Sequence, residues 1–144
     1  MKAIKYALTA LAVAFAVPAF AHDGVHIEGA YARFMPGSMA GAAFMTIENH
    51  ATVDDRLVSA TADIADRVEL HTHKMGADGS MQMIHVPEGF AIPAGETIEL
   101  KRGGDHIMLM DLKGKPKDGD TIHVTLTFEH AGDVEIEVPV DGKR

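Results

Sequence analysis

Short segments of alternating apolar and polar residues, separated by turn residues, follow one another along the chain from His22 onward. The turn residues recur roughly every eight to twelve positions, which is typical of an all-β sandwich and not of a helical fold. We expect a loop or one helical turn at 60–65, and a loop at 87–95 that buries Phe90 or Ile92. The predicted strands cover residues 30–34, 41–48, 57–58, 67–75, 81–86, 97–101, 106–112, 121–129 and 133–138.

The predicted strand 67–75 has the clearest alternation, and one of its faces carries chemistry. Val68 and Leu70 point one way, whereas His71 and His73 point the other. The polar face of this strand is therefore a candidate binding surface.

The Gly-Ala-Asp-Gly run at 76–79 is a hairpin signal, and the position of the turn decides which residues face each other. A two-residue turn on Asp78 and Gly79 would shift the register by one and separate the histidines from the methionines of the return strand. We expect a turn centred on Asp78. Three cross-strand pairs then share the polar face: His71 with His85, His73 with Met83, and Met75 with Met81.

Histidine and methionine are concentrated between residues 71 and 110 of a chain that contains no cysteine. Imidazole and thioether donors suit a soft, low-charge ion such as Cu(I), whereas Ca²⁺ and Mg²⁺ require oxygen ligands. A single methionine is more often a core filler, and a single histidine in a strand is more often solvated. On the strand 106–112, however, His106 and Met108 share a face. Core packing does not require histidine beside methionine, so the joint pattern favours a Cu(I) site.

The first residues are typical of an export signal. Lys2 and Lys5 precede an apolar run at 7–17 that is too short to remain in a bilayer, and a small-x-small cleavage site follows. We therefore expect a signal peptide at 1–21 and a single soluble domain at 22–144 in the periplasm. Because no cysteine lies near the cleavage point, we expect neither a lipid anchor nor membrane insertion.

The predicted mature domain is acidic. The chain has 13 Lys and Arg against 21 Asp and Glu, and two of the lysines belong to the signal, which leaves a net charge of about −10. Such a surface repels nucleic acid and anionic lipid and favours cationic partners. The lack of cysteine excludes disulfides and any site that needs a thiolate, including a blue-copper electron-transfer centre.

Four runs of the sequence carry a family resemblance: VELHTHKM, MQM, AIPAGETIELKRGGDHIMLM and KDGDTIHVTLTFEHAG. From about residue 29 to 140 the chain resembles the periplasmic copper chaperones of the PCu(A)C family. The resemblance implies a cupredoxin-like Greek-key β-sandwich, and a non-enzymatic protein that binds Cu(I) through two histidines and two methionines. It also implies delivery of copper toward the CuA site of cytochrome oxidase, with that oxidase subunit or a Sco-type assembly protein as partner. We expect the protein to be a monomer.

The family motif is a histidine, ten residues, a methionine, twenty-one residues and then His-x-Met. Carried over by position, the resemblance implies four metal ligands: His71, Met83, His106 and Met108. Met83 leaves one extra residue in each gap, and the turn and the loop on either side of the return strand can absorb these insertions at little cost.

Three neighbours of Met83 remain as substitutes or additional contacts: Met81, His73 and His85. Met81 fits the motif less well, because it leaves nine and twenty-four intervening residues. The ligand beside the two histidines and Met108 is therefore expected to be Met83.

Other functions remain open. A periplasmic copper buffer or resistance protein without a dedicated acceptor would use the same ligands. A histidine-brace copper enzyme would use His22 as the new amino terminus, paired with His26, His123 or His130. A metal-free interaction sandwich would leave the histidine and methionine faces unexplained.

Overall fold

The structure, a computed structural model, describes residues 20–22 and 24–144. Its eleven strands in chain order are β1 (Phe20–His22), β2 (Val25–Phe34), β3 (Gly41–Asn49), β4 (Asp55–Ala62), β5 (Ala65–Met75), β6 (Met81–His85), β7 (Phe90–Ile92), β8 (Thr97–Leu100), β9 (His106–Leu112), β10 (Thr121–Phe128) and β11 (Gly132–Pro139). The predicted all-β class is confirmed. Within the described residues, nothing forms a helix with the length and apolarity to cross a membrane. Residues 1–19 lie outside this part of the chain, so the signal peptide at 1–21 stays a prediction.

The strands form one hydrogen-bonded sheet in the order β1-β2-β3-β9-β5-β4-β10-β11, with β6 paired to β5, β7 to β4 and β8 to β3. The two ends of the sheet meet where Ala32 in β2 forms a parallel bridge with Val140, just after β11. The sheet therefore closes nearly into a barrel. The two layers of the predicted sandwich are parts of this one curved sheet, and its interior is the core.

Alternation along the strands fills that core. In β10, for example, Ile122, Val124, Leu126 and Phe128 are buried, and the residues between them face outward or are partly exposed. Each buried apolar side chain of this size contributes roughly 1.5–3 kcal/mol relative to exposure. The inward faces thus hold the fold together, and the outward faces are available for binding.

The segment 60–65 differs from the prediction of a loop or helical turn, which is wrong. β4 continues to Ala62, and β5 begins at Ala65 after a two-residue turn. Ala62 pairs with Val124 of β10, and this pairing outweighs the weak strand preference of alanine.

The segment 87–95 also holds a strand. Phe90 and Ile92 are both buried in β7, which pairs with β4. The sequence pattern indicated the burial but not the pairing.

The β5–β6 hairpin has the predicted register. The cross-strand pairs are His71 with His85, His73 with Met83, and Met75 with Met81. The Gly76 amide donates a hydrogen bond to the Ser80 carbonyl at 2.7 Å, and the Gly79 amide donates to the Gly76 carbonyl at 3.0 Å. Gly79 has a φ of 83°, which a residue with a side chain rarely adopts. The turn is therefore centred on Asp78, and it gathers the histidines and methionines on one face.

Candidate metal centre

Three histidines from neighbouring strands form a row across the outer face of the sheet. His85 in β6 pairs with His71 in β5, which in turn pairs with His106 in β9. The ring centroid of His71 lies 5.7 Å from that of His85 and 5.9 Å from that of His106. His73, on the same face of β5, has its ring centroid 5.3 Å from that of His106. Two imidazoles bound to one ion through bonds of about 2 Å have ring centres about 5–6 Å apart, so both His71 and His73 lie at a ligating distance from His106.

His106 is held as a neutral imidazole. Only 2% of the residue is exposed, and this burial lowers the pKa of His106. Its Nδ1 lies 3.0 Å from the Gly104 carbonyl oxygen. Because a carbonyl can only accept, Nδ1 carries the proton and donates it, which leaves the lone pair on Nε2. His73 makes the same contact through its Nδ1, at 3.2 Å. An imidazole fixed through one nitrogen in this way is the usual form of a metal-ligating histidine.

His71 is fixed through its other ring nitrogen. Its Nε2 lies 2.8 Å from Oε2 of Glu69, and this hydrogen bond is the main reason why the pKa of Glu69 lies below its ordinary value. The ionised carboxylate accepts the proton of Nε2, so Nδ1 carries the lone pair. That Nδ1 is buried and has no hydrogen-bond partner among the described residues. A buried polar atom without a partner costs about 1–3 kcal/mol, which a bound ligand would offset.

A pocket of about 340 Å³ lies against this face, and His73, Met83, His106 and Met108 line it. Met83 is 47% exposed, so the pocket opens to solvent. The two methionines lie on different strands, Met83 in β6 and Met108 in β9, and β5, which carries His73, lies between these strands. The pocket therefore brings two imidazoles and two thioethers together at the surface.

The ligands predicted from the sequence fall into two groups. Met83, His106 and Met108 line the pocket, whereas His71 lies beside it, next to His106. His73, kept in the sequence analysis as a neighbour, forms part of the wall. Met81 does not line the pocket and is 57% exposed. Which of the two histidines of β5 joins His106 at an ion stays a prediction.

Two arginines in the pocket wall were not anticipated from the sequence. Arg33 comes from β2 and Arg102 from the loop before β9, and no acidic residue is among the described residues that line the pocket. Nη1 of Arg33 is buried without a hydrogen-bond partner in the described part of the chain. Phe44 of β3 closes the same wall, with its ring 6.3 Å from that of His106. The pairing of β3 with β9 brings Phe44 and, through β2, Arg33 to the site, and no local pattern in the sequence encodes that pairing.

The donors in and beside the pocket suit a monovalent soft ion. Imidazole nitrogen and thioether sulfur are neutral, and they match Cu(I) better than a hard divalent ion. The guanidinium groups in the wall add positive charge, which disfavours a second charge on the ion by Coulomb repulsion. The pocket is therefore chemically fitted to Cu(I).

Comparisons with known proteins identify relatives over most of the chain. A family model described as LpqE-like, putative lipoprotein LpqE-like, matches residues 25–140. A protein of Leifsonia xyli subsp. xyli, named putative lipoprotein Lxx21020, is 37% identical over 118 residues, which are 82% of this chain and 70% of that protein.

Solved structures with the same fold include PCuAC domains. The copper-bound PCuAC domain from PmoF2 has a TM-score of 0.71 at 23% identity, covering 87% of this chain and 98% of that domain, and this likeness concerns the fold alone. The Cu(I) form of DR1885 from Deinococcus radiodurans is 31% identical, with a TM-score of 0.65 over 87% of this chain and 81% of that one. These neighbours have a cupredoxin-like fold, so the predicted fold is confirmed. With its match over residues 25–140, the chain belongs to the LpqE-like family, which is the PCuAC family.

Proposed function

We propose that this protein binds Cu(I) as cargo in the pocket between β5, β6 and β9, and carries it as a copper chaperone. One observation supports this most strongly: two imidazoles and two thioethers line one pocket that no described carboxylate enters. Membership of the PCuAC family and the Cu(I) form of a 31% identical relative support the same ion.

The proposed ligands are His71, Met83, His106 and Met108. Met83 and Met108 supply soft sulfur that stabilises Cu(I) over Cu(II), and His106 supplies Nε2 from a ring that burial keeps neutral. His71 supplies the buried Nδ1, which has no hydrogen-bond partner among the described residues. His73 is the alternative second imidazole, because it donates the proton of Nδ1 to the Gly104 carbonyl and so carries its lone pair on Nε2.

Delivery follows from the charge of the donors. A site built only from neutral ligands holds Cu(I) less strongly than a site with thiolates, so the ion can pass to a cysteine-containing acceptor down a free-energy gradient. Each tenfold difference in affinity supplies about 1.4 kcal/mol. The proposed acceptor is the CuA-bearing subunit of cytochrome oxidase, or a Sco-type assembly protein that serves it. Thioethers also form no disulfides in an oxidising compartment, although they can be oxidised to sulfoxides.

The compartment is proposed to be the periplasm, where the domain would be soluble after removal of residues 1–21. The charged head, apolar run and small-x-small site support export. The protein would act there as a carrier and not as an enzyme.

X-ray absorption of the Cu(I)-loaded protein tests the ligand chemistry. We expect a Cu(I) edge and a first shell that contains both nitrogen and sulfur, since the pocket offers both. A shell of nitrogen and oxygen alone would contradict binding in this pocket.

A transfer experiment separates the chaperone from the copper buffer, which would use the same ligands. The Cu(I)-loaded protein is mixed with a reduced, metal-free soluble CuA domain, the two are separated by ion exchange, and copper is measured in each. We expect copper to move to the CuA domain within minutes at equal concentrations. Retention by the loaded protein, under conditions in which free Cu(I) loads the acceptor, would favour storage.

A further inference from the structure

A second cluster of potential metal ligands lies at the other end of the same outer face. We call it the His-Glu groove, and its residues are His26, Glu28, Glu48 and His50. They line a shallow groove on β2 and the end of β3, together with Gly24 and Val25.

The register of β2 and β3 builds this groove. His26 lies directly opposite Glu48 in the antiparallel pair. Glu28 follows His26 by two residues, and His50 follows Glu48 by two, so all four side chains point to the same face. A bulge between Glu28 and Tyr31 interrupts the pairing of β2 with β3 just beyond the groove.

The distances within the groove are close to those of a coordination site. One ring nitrogen of His26 and one carboxylate oxygen each from Glu28 and Glu48 lie within 4.8 Å of one another. Nε2 of His50 lies 2.7 Å from Oε2 of Glu48, so it is next to the same three groups. Donors around a tetrahedral ion with bonds of about 2.1 Å are about 3.4 Å apart, a contraction that small side-chain rotations can supply.

The groove brings two carboxylates together without a salt bridge to lysine or arginine in the described part of the chain. Two carboxylates lie close together, and among the described residues their salt-bridge partners are only the histidines His26 and His50. Two like charges brought together favour a bound cation that neutralises both.

We propose that the His-Glu groove is a second metal site, which binds a divalent ion of the Cu(II) and Zn(II) class through His26, Glu28 and Glu48. Carboxylate oxygen and imidazole nitrogen together suit such an ion, and two anionic donors favour a divalent over a monovalent one. His50 completes the site as a fourth donor or orients Glu48 through its hydrogen bond.

The groove is separate from the Cu(I) pocket, and the proposal does not rest on the proposed function. Glu48 lies four residues along β3 from Phe44, which closes the pocket wall, so the two sites are roughly 13 Å apart along that strand. The two sites share no residue.

Cu(II) titration of the full-length mature protein tests the second site. The oxidised, metal-free protein is titrated with Cu(II) against glycine as competitor, and the bound ion is examined by electron paramagnetic resonance. We expect an axial Cu(II) signal with nitrogen coupling from imidazole, which an excess of Zn(II) removes. His26→Gln and Glu48→Gln should each weaken Cu(II) binding at least tenfold, because each removes a donor, while an unchanged circular dichroism spectrum and denaturant midpoint show that the variants are folded.

His123 provides a matched control. It is an exposed histidine in β10 with its Nδ1 3.3 Å from Asp63 and its Nε2 3.7 Å from Glu137, but its carboxylates lie on opposite sides of the ring. His123→Gln should leave Cu(II) affinity unchanged. Equal Cu(II) affinity in the wild type, His26→Gln and Glu48→Gln would overturn the proposal. It would also be overturned if His22→Gln or Met108→Ala abolished the signal and Glu48→Gln did not, since the ion would then sit at the amino terminus or in the pocket.

Discussion

The Cu(I) pocket and the His-Glu groove both hold histidines on the outer face of one sheet, yet their charges are opposite. The pocket is lined by thioethers and two arginines, with no acidic residue among its described lining. The groove pairs its histidines with two glutamates, and among the described residues no lysine or arginine forms a salt bridge with these glutamates. Histidine alone therefore does not determine which ion binds.

The residues beside the histidines differ in what they contribute. In the pocket, neutral sulfur and nearby guanidinium groups favour the lowest ionic charge. In the groove, carboxylates favour a higher one. A single β-sheet can thus present two chemically distinct surfaces, because neighbouring positions on its outer face are free of the constraints of core packing.

Removing Met108 should produce the largest difference between the effect on Cu(I) binding in the pocket and the effect on Cu(II) binding in the groove. Met108→Ala takes a donor from the rigid centre of the sheet, so we expect Cu(I) affinity to fall more than about 100-fold, beyond the loss typical for groups that only support a ligand. Unfolding by denaturant should show a loss of only about 1–2 kcal/mol, since Met108 is only partly buried. Cu(II) binding in the groove should not change. A loss of stability as large as the loss of Cu(I) binding would assign Met108 to the core.

Exchanging the methionines of β6 tests the register within the pocket. Met83→Ala should weaken Cu(I) binding by about 100-fold or somewhat less, because Met83 lies opposite His73 but on an exposed hairpin strand. Met81→Ala is the matched control: it lies two residues away on the same face, opposite Met75, and does not line the pocket. Competition with a Cu(I) chelator measures the Cu(I) affinity of both variants. Equal losses would mean that the two thioethers exchange freely at the ion.

Removing the charge of Glu69 should have a smaller effect. Glu69→Gln keeps the size of the side chain but loses the carboxylate that accepts from Nε2 of His71. Because His71 is then less firmly held in the tautomer that frees Nδ1, we expect Cu(I) affinity to fall about tenfold. Glu135→Gln, at an exposed position of β11, is the control and should have no effect. An unchanged affinity in Glu69→Gln would favour His73 over His71 as the second imidazole.

The pH dependence of folding should show the smallest effect. Because burial lowers the pKa of His106, the unfolded chain binds more protons at this ring than the folded protein does below about pH 6.5. The free energy of unfolding of the metal-free protein should therefore be highest above pH 6.5. Below that pH it should fall by at most about 1.4 kcal/mol for each pH unit. The contribution of Glu69, whose pKa is also lowered, should persist until the pH falls below about 4.3.

Denaturant unfolding between pH 5 and 8 measures this slope. His106→Gln should reduce the slope of the free energy of unfolding against pH. An unchanged slope in this variant would mean that the other histidines cause the pH dependence.

The sequence predicted the hairpin face of the pocket well. Strict alternation in β5 and a glycine-rich turn centred on Asp78 are local signals, and together they determine that His73 faces Met83. The positions of His106 and Met108 on one face of β9 follow from the same two-residue period.

The opposite wall of the pocket could not be predicted in this way. Arg33 and Phe44 reach it only because β3 pairs with β9, two strands that are far apart in the chain. The His-Glu groove depends on the register of β2 with β3, in which a bulge interrupts the pairing. Such long-range pairing is set by the whole core and is not encoded in any short segment.

The outer edge of β6 has consequences for the order in which copper would be released. Among the described strands β6 pairs with β5 alone, and all of its residues are exposed, whereas β9 is held between β3 and β5. We therefore expect the sulfur of Met83 to dissociate from the ion first, while His106 and Met108 still coordinate it. An incoming acceptor thiolate would then enter from the hairpin side, and the direction of hand-over would follow from which strand of the sheet has only one neighbour.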